Sequence, residues 1–151
     1  MRSVHPMIPD KSQTGTSLKG WQRSGQLLSE ATPKRNRSLD YEGWRSAWEE
    51  DIGKAFGSSP IEMFSGKSVL EVGCGLYGMV HFFPESRFRV GIDPLCNRYL
   101  GMWHDSAVQH VMAIGERLPF SCGTFDIVVV WNVLDYSLNP LALLEECQRV
   151  L

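Results

Sequence analysis

From Ser38 to Phe56 the apolar residues Trp44, Ala47, Trp48, Ile52, Ala55 and Phe56 recur at steps of three and four. That spacing puts them on one helical face. Ser38 or Asp40 stands where an N-cap is expected, and Gly57 where such a helix ends. The pattern then changes. Ser68 to Val72 is a short, mostly apolar and β-branched run, as a buried strand requires. Phe88–Ile92, Val108–Ala113 and Phe125–Val130 read the same way, and Met79 to Phe83 is compatible with a helix. Leu138 to Leu151 returns to helical steps, starting near Asn139-Pro140, with Leu141, Leu144, Cys147, Gln148 and Leu151 on successive turns. Short apolar strands interleaved with helical segments predict an α/β domain with an open parallel sheet and flanking helices.

Between the first two strands lies Gly73-Cys74-Gly75-Leu76-Tyr77-Gly78, and the second strand ends on Asp93. A glycine turn lets a ligand lie against bare backbone, because no Cβ stands in the way. An acid at the tip of the neighbouring strand can accept two hydrogen bonds from a ribose diol. Glycine turns between a strand and a helix also occur with no ligand, so the glycines alone are weak support. Asp93 lies twenty positions after Gly73, the separation expected when two parallel strand ends sit side by side. The arrangement suits an adenosine-bearing cofactor, either a dinucleotide or S-adenosylmethionine.

Further segments separate the two. Glu71 sits inside the first strand, where a carboxylate is costly to bury unless it meets donors. Gly115-Glu116-Arg117-Leu118-Pro119-Phe120 follows the third strand-like run. Phe125-Asp126-Ile127-Val128 opens the fourth, and Asn132-Val133-Leu134-Asp135-Tyr136 follows it. Together with Val69-Leu70-Glu71-Val72-Gly73-Cys74-Gly75, Gly91-Ile92-Asp93 and Arg149-Val150-Leu151, these segments resemble the class I S-adenosylmethionine-dependent methyltransferases, in particular the branch called type 11. The resemblance covers about Lys67 to Leu151.

The resemblance implies a Rossmann-like fold and a set of roles. Glu71 would contact the turn backbone or, through water, the cofactor ammonium. Gly73, Cys74, Gly75 and Gly78 would line the methionine and ribose portions. Asp93 would hold the ribose hydroxyls, with Pro94 and Leu95 beside the adenine. Gly115 and Glu116 would face the adenine edge. Relatives carry Asp-Ala before that glutamate and this chain has Ile114-Gly115, so Glu116 is the remaining candidate for the adenine amine. Trp131 and Asn132 would face the methionine arm. Tyr136 stands where many relatives have His, and an unshifted tyrosine is mostly protonated at neutral pH. No catalytic base is named. Asp126 reads as fixing a turn, and Glu146 and Arg149 as a pair across one helical turn. In the family, further strands follow the final Arg-Val-Leu. The chain therefore reads as truncated, with the last strands of the fold missing and the Phe125–Val130 strand at an open edge.

Charge divides the chain. Met1 to Ser38 carries about +5 and the remainder about −7. The basic part is rich in Ser, Thr, Pro, Gly and Gln and reads as a disordered tail, within which Leu18, Trp21 and Leu28 are spaced for a short amphipathic turn. Its Arg and Ser content fits organelle targeting, against which Asp10 and the early prolines count. Three segments result: a tail over 1–38, an amphipathic helix over 39–60 that either packs on the core or also forms a lid, and a partial methyltransferase domain over 61–151. Sparse basic residues and an acidic folded part argue against nucleic acid. No apolar run approaches the roughly 18 residues of a membrane span. Four scattered cysteines without a C-x-x-C pair fit a reducing cytoplasm, and His5, His81, His104 and His110 lack metal-ligand spacing, so no metal is expected. An apolar open edge suggests a dimer or aggregate. Methyl transfer to a small-molecule or lipid-like acceptor is the leading reading. A non-catalytic cofactor-binding or interaction domain and a nicotinamide-dependent oxidoreductase are the alternatives.

Overall fold

The computed structural model describes residues 40–99, 101–102 and 107–151. The expected tail over 1–38 lies outside the described residues.

Helix α1, Tyr41–Phe56, begins where the Asp40 side chain accepts from the Gly43 N–H. It ends at Gly57, whose φ of 67° is left-handed and whose N–H reaches the Gly53 carbonyl. Of the two N-cap candidates, Asp40 is the one used. Ser59 caps a second, one-turn helix, α2, Pro60–Phe64. The segment expected to end at residue 60 thus contains one helix and the start of another.

Four parallel strands follow: β1 Ser68–Val72, β2 Phe88–Ile92, β3 Gln109–Val111 and β4 Ile127–Val130. Their order is β3-β2-β1-β4. β1 is central and buried throughout, pairing with β2 from Ser68↔Phe88 to Val72↔Ile92 and with β4 from Val69↔Ile127 to Val72↔Val130. Among the described residues β4 pairs on one side only. β3 is shorter than the apolar run around it. After β1 the chain makes only a 3₁₀ turn, Met79–His81, where a helix over Met79–Phe83 was compatible with the sequence. Two further 3₁₀ turns occupy Cys96–Arg98 and Leu134–Tyr136.

Helix α3, Pro140–Val150, closes the fold. The face it buries differs from the expected one: Leu143, Cys147 and Val150 are buried, whereas Leu141, Leu144 and Leu151 are exposed. Burying a leucine contributes roughly 1.5–3 kcal/mol. Leu143 lies so close to Gly115 that a Cβ there would meet its Cδ1 at 2.5 Å. The stripe that begins with Leu143 therefore sets the rotation of the helix. Arg149 fixes its far end by donating to the carbonyls of Phe120 (2.7 Å) and Leu118 (3.0 Å) and to Glu146, while Glu146 accepts from the Leu118 N–H at 2.7 Å. The expected Glu146–Arg149 pair is thus one part of a larger clamp.

Two cores result, one on each face of the sheet. Leu70, Val72, Val90, Ile92, Leu118, Phe125 and Val133 pack with α3. On the other face Ile52, Phe64, Val69, Met79, Val80 and Phe83 pack with α1 and α2. Asp126 holds the base of the sheet, accepting from the Ser68 N–H at 2.7 Å and from Arg87 at 3.2 Å; its side chain links strands, where the sequence suggested that it fixes a turn. No helix among the described residues is long and apolar enough to cross a membrane.

Candidate active site

The strand order reverses at β1, whose neighbours continue the chain in opposite directions across the sheet. Such a switch point leaves a crevice beyond the carboxyl ends of the strands. The loops after β1, β2 and β4 meet there. The N–H groups of Gly73 and Cys74 both donate to the Ile92 carbonyl, at 2.7 and 3.0 Å, clasping the turn to the end of β2. Gly73 also packs on Val133 so closely that a Cβ would collide with that side chain, which joins the turn to the segment after β4.

Asp93 lies between these loops. Its Oδ2 accepts from the Gly75 N–H at 3.1 Å and its Oδ1 from the Leu95 N–H at 2.7 Å. Each carboxylate oxygen retains a second acceptor position. Burial pushes the Asp93 carboxyl above the ordinary aspartate range, while the Leu95 and Gly75 N–H groups pull it back. Gly75 has a φ of 51°, and the place where its Cβ would stand is open space. The backbone at Gly75, beside Asp93, is therefore open where a side chain would stand.

The other glycines do different work. A Cβ at Gly78 would collide with the Cys74 carbonyl and lie 2.6 Å from Glu71 Oε2. Gly78 makes room for the carboxylate, and its Cβ position is not open to a ligand. Glu71 is buried and its Oε2 accepts from the Val80 N–H at 2.9 Å, with Met79 as a second backbone donor. Desolvation lifts its carboxyl to about 7. Glu71 thus holds the start of the Met79–His81 turn from below. Gly91, in mid-strand, leaves space for the Cys74 sulfur, which lies 2.6 Å from the position of a Cβ.

Gly115 and Glu116 pack toward the entry to α3. Gly115 is buried against Leu143 and Val72. Glu116 Oε1 accepts from the Ser137 hydroxyl at 2.7 Å and from the N–H groups of Leu138 (2.9 Å) and Asn139 (3.3 Å). That oxygen organises the entry to α3. Pro94 is buried beside Asp93. Asn132 is exposed just beyond β4 with a φ of 52°, a left-handed conformation uncommon outside glycine and enriched at functional sites.

Aromatic side chains cover the turn. Trp44 stacks on Tyr77 with centroids 4.7 Å apart, Trp48 Nε1 donates to the Tyr77 carbonyl at 2.9 Å, and Trp48 meets Trp131 edge-on at 5.8 Å. A cleft of about 130 Å³ opens beside them, lined by Tyr41, Trp44, Tyr77, His81, Phe82 and Met102 among others. His81 is buried and stacks on His110 at 5.1 Å. Among the described residues no group of three or more His, Cys, Asp or Glu is placed to hold a metal ion.

Residues 70–151 match the family model described as a methyltransferase domain. The chain belongs to this methyltransferase-domain family. A curated relative, an uncharacterised protein of Methanocaldococcus jannaschii, is 29% identical over 82 residues, which cover 54% of this chain and 38% of that protein. Solved structures share the fold. A methyltransferase of Thermotoga maritima superposes with a TM-score of 0.59 at 17% identity, covering 87% of this chain and 56% of that one. The plantazolicin methyltransferase BpumL, solved with S-adenosylhomocysteine, gives 0.54 at 17%, covering 85% and 50%. The [4+2]-cyclase SpnF gives 0.58 at 16%, covering 87% and 56%. Identities this low carry the fold alone. The chain spans well under two thirds of the length of each of these proteins.

Within the methyltransferase domain, the candidates Glu71, Gly73, Cys74, Gly75, Gly78, Asp93 and Pro94 form one connected cluster. Trp131 meets Trp48 over the turn, Asn132 follows it beyond β4, and Gly115 packs between Val72 and Leu143. The sequence reading passed over two participants. Gly91 carried a signal, since a glycine inside a strand often marks close approach of another group. The carbonyl of Tyr77 carried none, because its partner Trp48 becomes a neighbour only on folding.

Proposed function

We propose that the chain binds S-adenosylmethionine at the carboxyl ends of β1, β2 and β4 and transfers its methyl group to a small-molecule or lipid-like acceptor. The observation that carries this is Asp93, a buried carboxylate set beside Gly75, whose bare face opens outward. The free acceptor positions of Asp93 suit a ribose diol. Pro94 and Leu95 give an apolar wall for the adenine, and Trp131 and Asn132 stand where the methionine arm would run. When bound, the cofactor supplies an electrophilic sulfonium methyl. The residues around it need only orient the two reactants and exclude water, since proximity alone can lower such a barrier by several kcal/mol. The shelf of Trp44, Trp48, Tyr77 and Trp131 supports an acceptor with an apolar or aromatic body. Four free cysteines among the described residues favour a reducing compartment such as the cytoplasm.

A second reading is cofactor binding without methyl transfer. It is favoured by the fold shared with SpnF, a [4+2]-cyclase. Calorimetry with S-adenosylhomocysteine and with NAD tests the cofactor. Binding of the first and not the second is expected, and binding of NAD alone would overturn the proposal. Release of S-adenosylhomocysteine from S-adenosylmethionine in the presence of an acceptor panel separates the two readings.

A further inference from the structure

The cleft of about 130 Å³ beside the glycine turn is walled on one side by Leu76 and Tyr77, the two residues that follow Gly75, and on another by the start of α1. It therefore adjoins the proposed cofactor seat. Two ring pairs line it. Trp44 stacks on Tyr77 at 4.7 Å, and Tyr41 lies against Phe82 at 5.0 Å. The polar groups on its side chains share one character. The Tyr41 hydroxyl donates its proton to the Phe82 carbonyl at 3.5 Å and keeps its lone pairs. Asp40, exposed at the start of α1, uses one of its roughly four acceptor positions on the Gly43 N–H. The ring nitrogens of Trp44 and His81 are buried. Among the described residues no lysine or arginine lines the cleft, and Asp40 is its one acid. The cleft thus offers aromatic surface, acceptors and a negative charge, and no exposed side-chain donor.

We propose that this cleft holds a cationic head, an alkylated ammonium group, carried by the methyl acceptor. An aromatic ring attracts a cation through the negative potential of its face, and the attraction grows where water is excluded. The Asp40 carboxylate at the rim adds the attraction of opposite charge. A bare ammonium is strongly hydrated, whereas alkyl groups on the nitrogen lower that hydration and match apolar walls. An anion would meet Asp40 and find no side-chain donor. A neutral apolar group would gain burial alone. Size agrees: a cavity of about 150 Å³ takes a benzene-sized guest, so this cleft has room for a trimethylammonium-sized head and leaves the rest of the acceptor outside. The head is a handle. While positively charged its nitrogen has no lone pair with which to attack, so the atom that takes the methyl group lies elsewhere on the acceptor. The acceptor role rests on the cofactor reading above, whereas the cation site rests on the cleft.

Tetramethylammonium, tert-butanol and pivalate are a cation, a neutral molecule and an anion of similar bulk. Each is titrated into the full chain while NMR follows the indole N–H signal of Trp44, assigned by its loss in Trp44→Phe. Tetramethylammonium should bind about tenfold more tightly than tert-butanol, and pivalate should bind most weakly. Equal affinities, a preference for pivalate, or no binding of the cation overturns the proposal. Asp40→Asn keeps an N-cap of similar rank, so Tm should hold while cation affinity falls several-fold and tert-butanol binding stays the same. Parallel loss of both ligands overturns the role of charge. Repeating the titration with saturating S-adenosylhomocysteine separates the cleft from the cofactor seat. Cation binding that persists is expected, and mutual exclusion puts the cation in the cofactor seat and overturns its place on the acceptor. A chain that binds the cation and no S-adenosylhomocysteine overturns the cofactor reading and the acceptor role with it, while the cation site stands.

Discussion

The indole N–H of Trp48 donates to the carbonyl of Tyr77 at 2.9 Å, so helix α1 is hydrogen-bonded to the backbone of the turn that faces Asp93. This fixes where the helix packs, which periodicity alone left open. Removing residues 1–38 should leave S-adenosylhomocysteine affinity nearly unchanged. Removing the chain through Gly57 should abolish binding, because Ile52 is fully buried and Trp48 covers the turn. Trp48→Phe keeps one aromatic ring and loses the donor with part of the indole packing, and should cost at least about 1 kcal/mol in urea unfolding. An unchanged affinity and Tm after removal of the whole segment would contradict a covering role.

Asp93 carries two kinds of load. As a ligand for the diol it should contribute about 1.5–3 kcal/mol, so Asp93→Ala should bind S-adenosylhomocysteine about 10- to 150-fold more weakly. It also accepts from the Gly75 and Leu95 N–H groups, so the same change should lower Tm. Asp93→Asn, which keeps one acceptor oxygen, should recover part of the Tm and less of the affinity. Equal affinity in folded wild type and Asp93→Ala would make Asp93 a turn residue only.

Glu71 should make stability depend on pH. Burial raises its carboxyl from the ordinary 4.5 to about 7. A raised acid favours the fold while protonated. Its contribution is complete below about 4.5 and is lost as pH rises through about 7. Glu71→Gln keeps an acceptor for the Val80 N–H and cannot ionise. Between about pH 5 and 8 the wild type should lose on the order of 3 kcal/mol relative to this variant. Parallel urea titrations at several pH values check this, and coincident pH profiles would show that the buried carboxyl is not raised.

The exposed face of α3 bears on assembly. Leu138, Leu141, Leu144 and Leu151 are 47–66% exposed, and β4 offers unpaired backbone among the described residues. An apolar edge of this kind recruits another strand. We expect the 151-residue chain to self-associate, and a Leu141→Glu/Leu144→Glu variant to do so less. Sedimentation velocity across a concentration series measures it, and a monomeric wild type at every concentration would contradict it.

The strands, the order of the motifs and the place of Asp93 were legible because each rests on local pattern: β-branched runs, glycines and an acid in register. The caps of α1 were legible for the same reason. The face of α3 was not. Leucines occur on both sides of that helix, and the side it buries is chosen by the gap at Gly115, whose neighbour Leu143 is remote in sequence. The sequence placed Gly78 with the ligand-lining glycines, whereas its missing side chain is filled by Glu71. A motif records where glycine is tolerated, and only the packed structure separates room for a ligand from room for a carboxylate. Glu116 was equally opaque, since its donors at residues 137–139 approach it only after α3 docks.

The two bonds that hold Ser68 differ in the length of chain they close. Arg87 Nη2 reaches its hydroxyl across 19 residues, and its own N–H reaches Asp126 across 58. Closing the longer loop costs about 1 kcal/mol more in chain entropy. The β1–β2 pair, with Gly73 and Asp93 at its tip, is therefore expected to assemble first during folding, and the β4 wall with Trp131 to arrive later. Pulsed hydrogen exchange during refolding would then protect the Gly73 and Cys74 amides before those of Ser68 and Asp126. A nascent chain would possess the ribose-binding corner before the surface against which an acceptor lies.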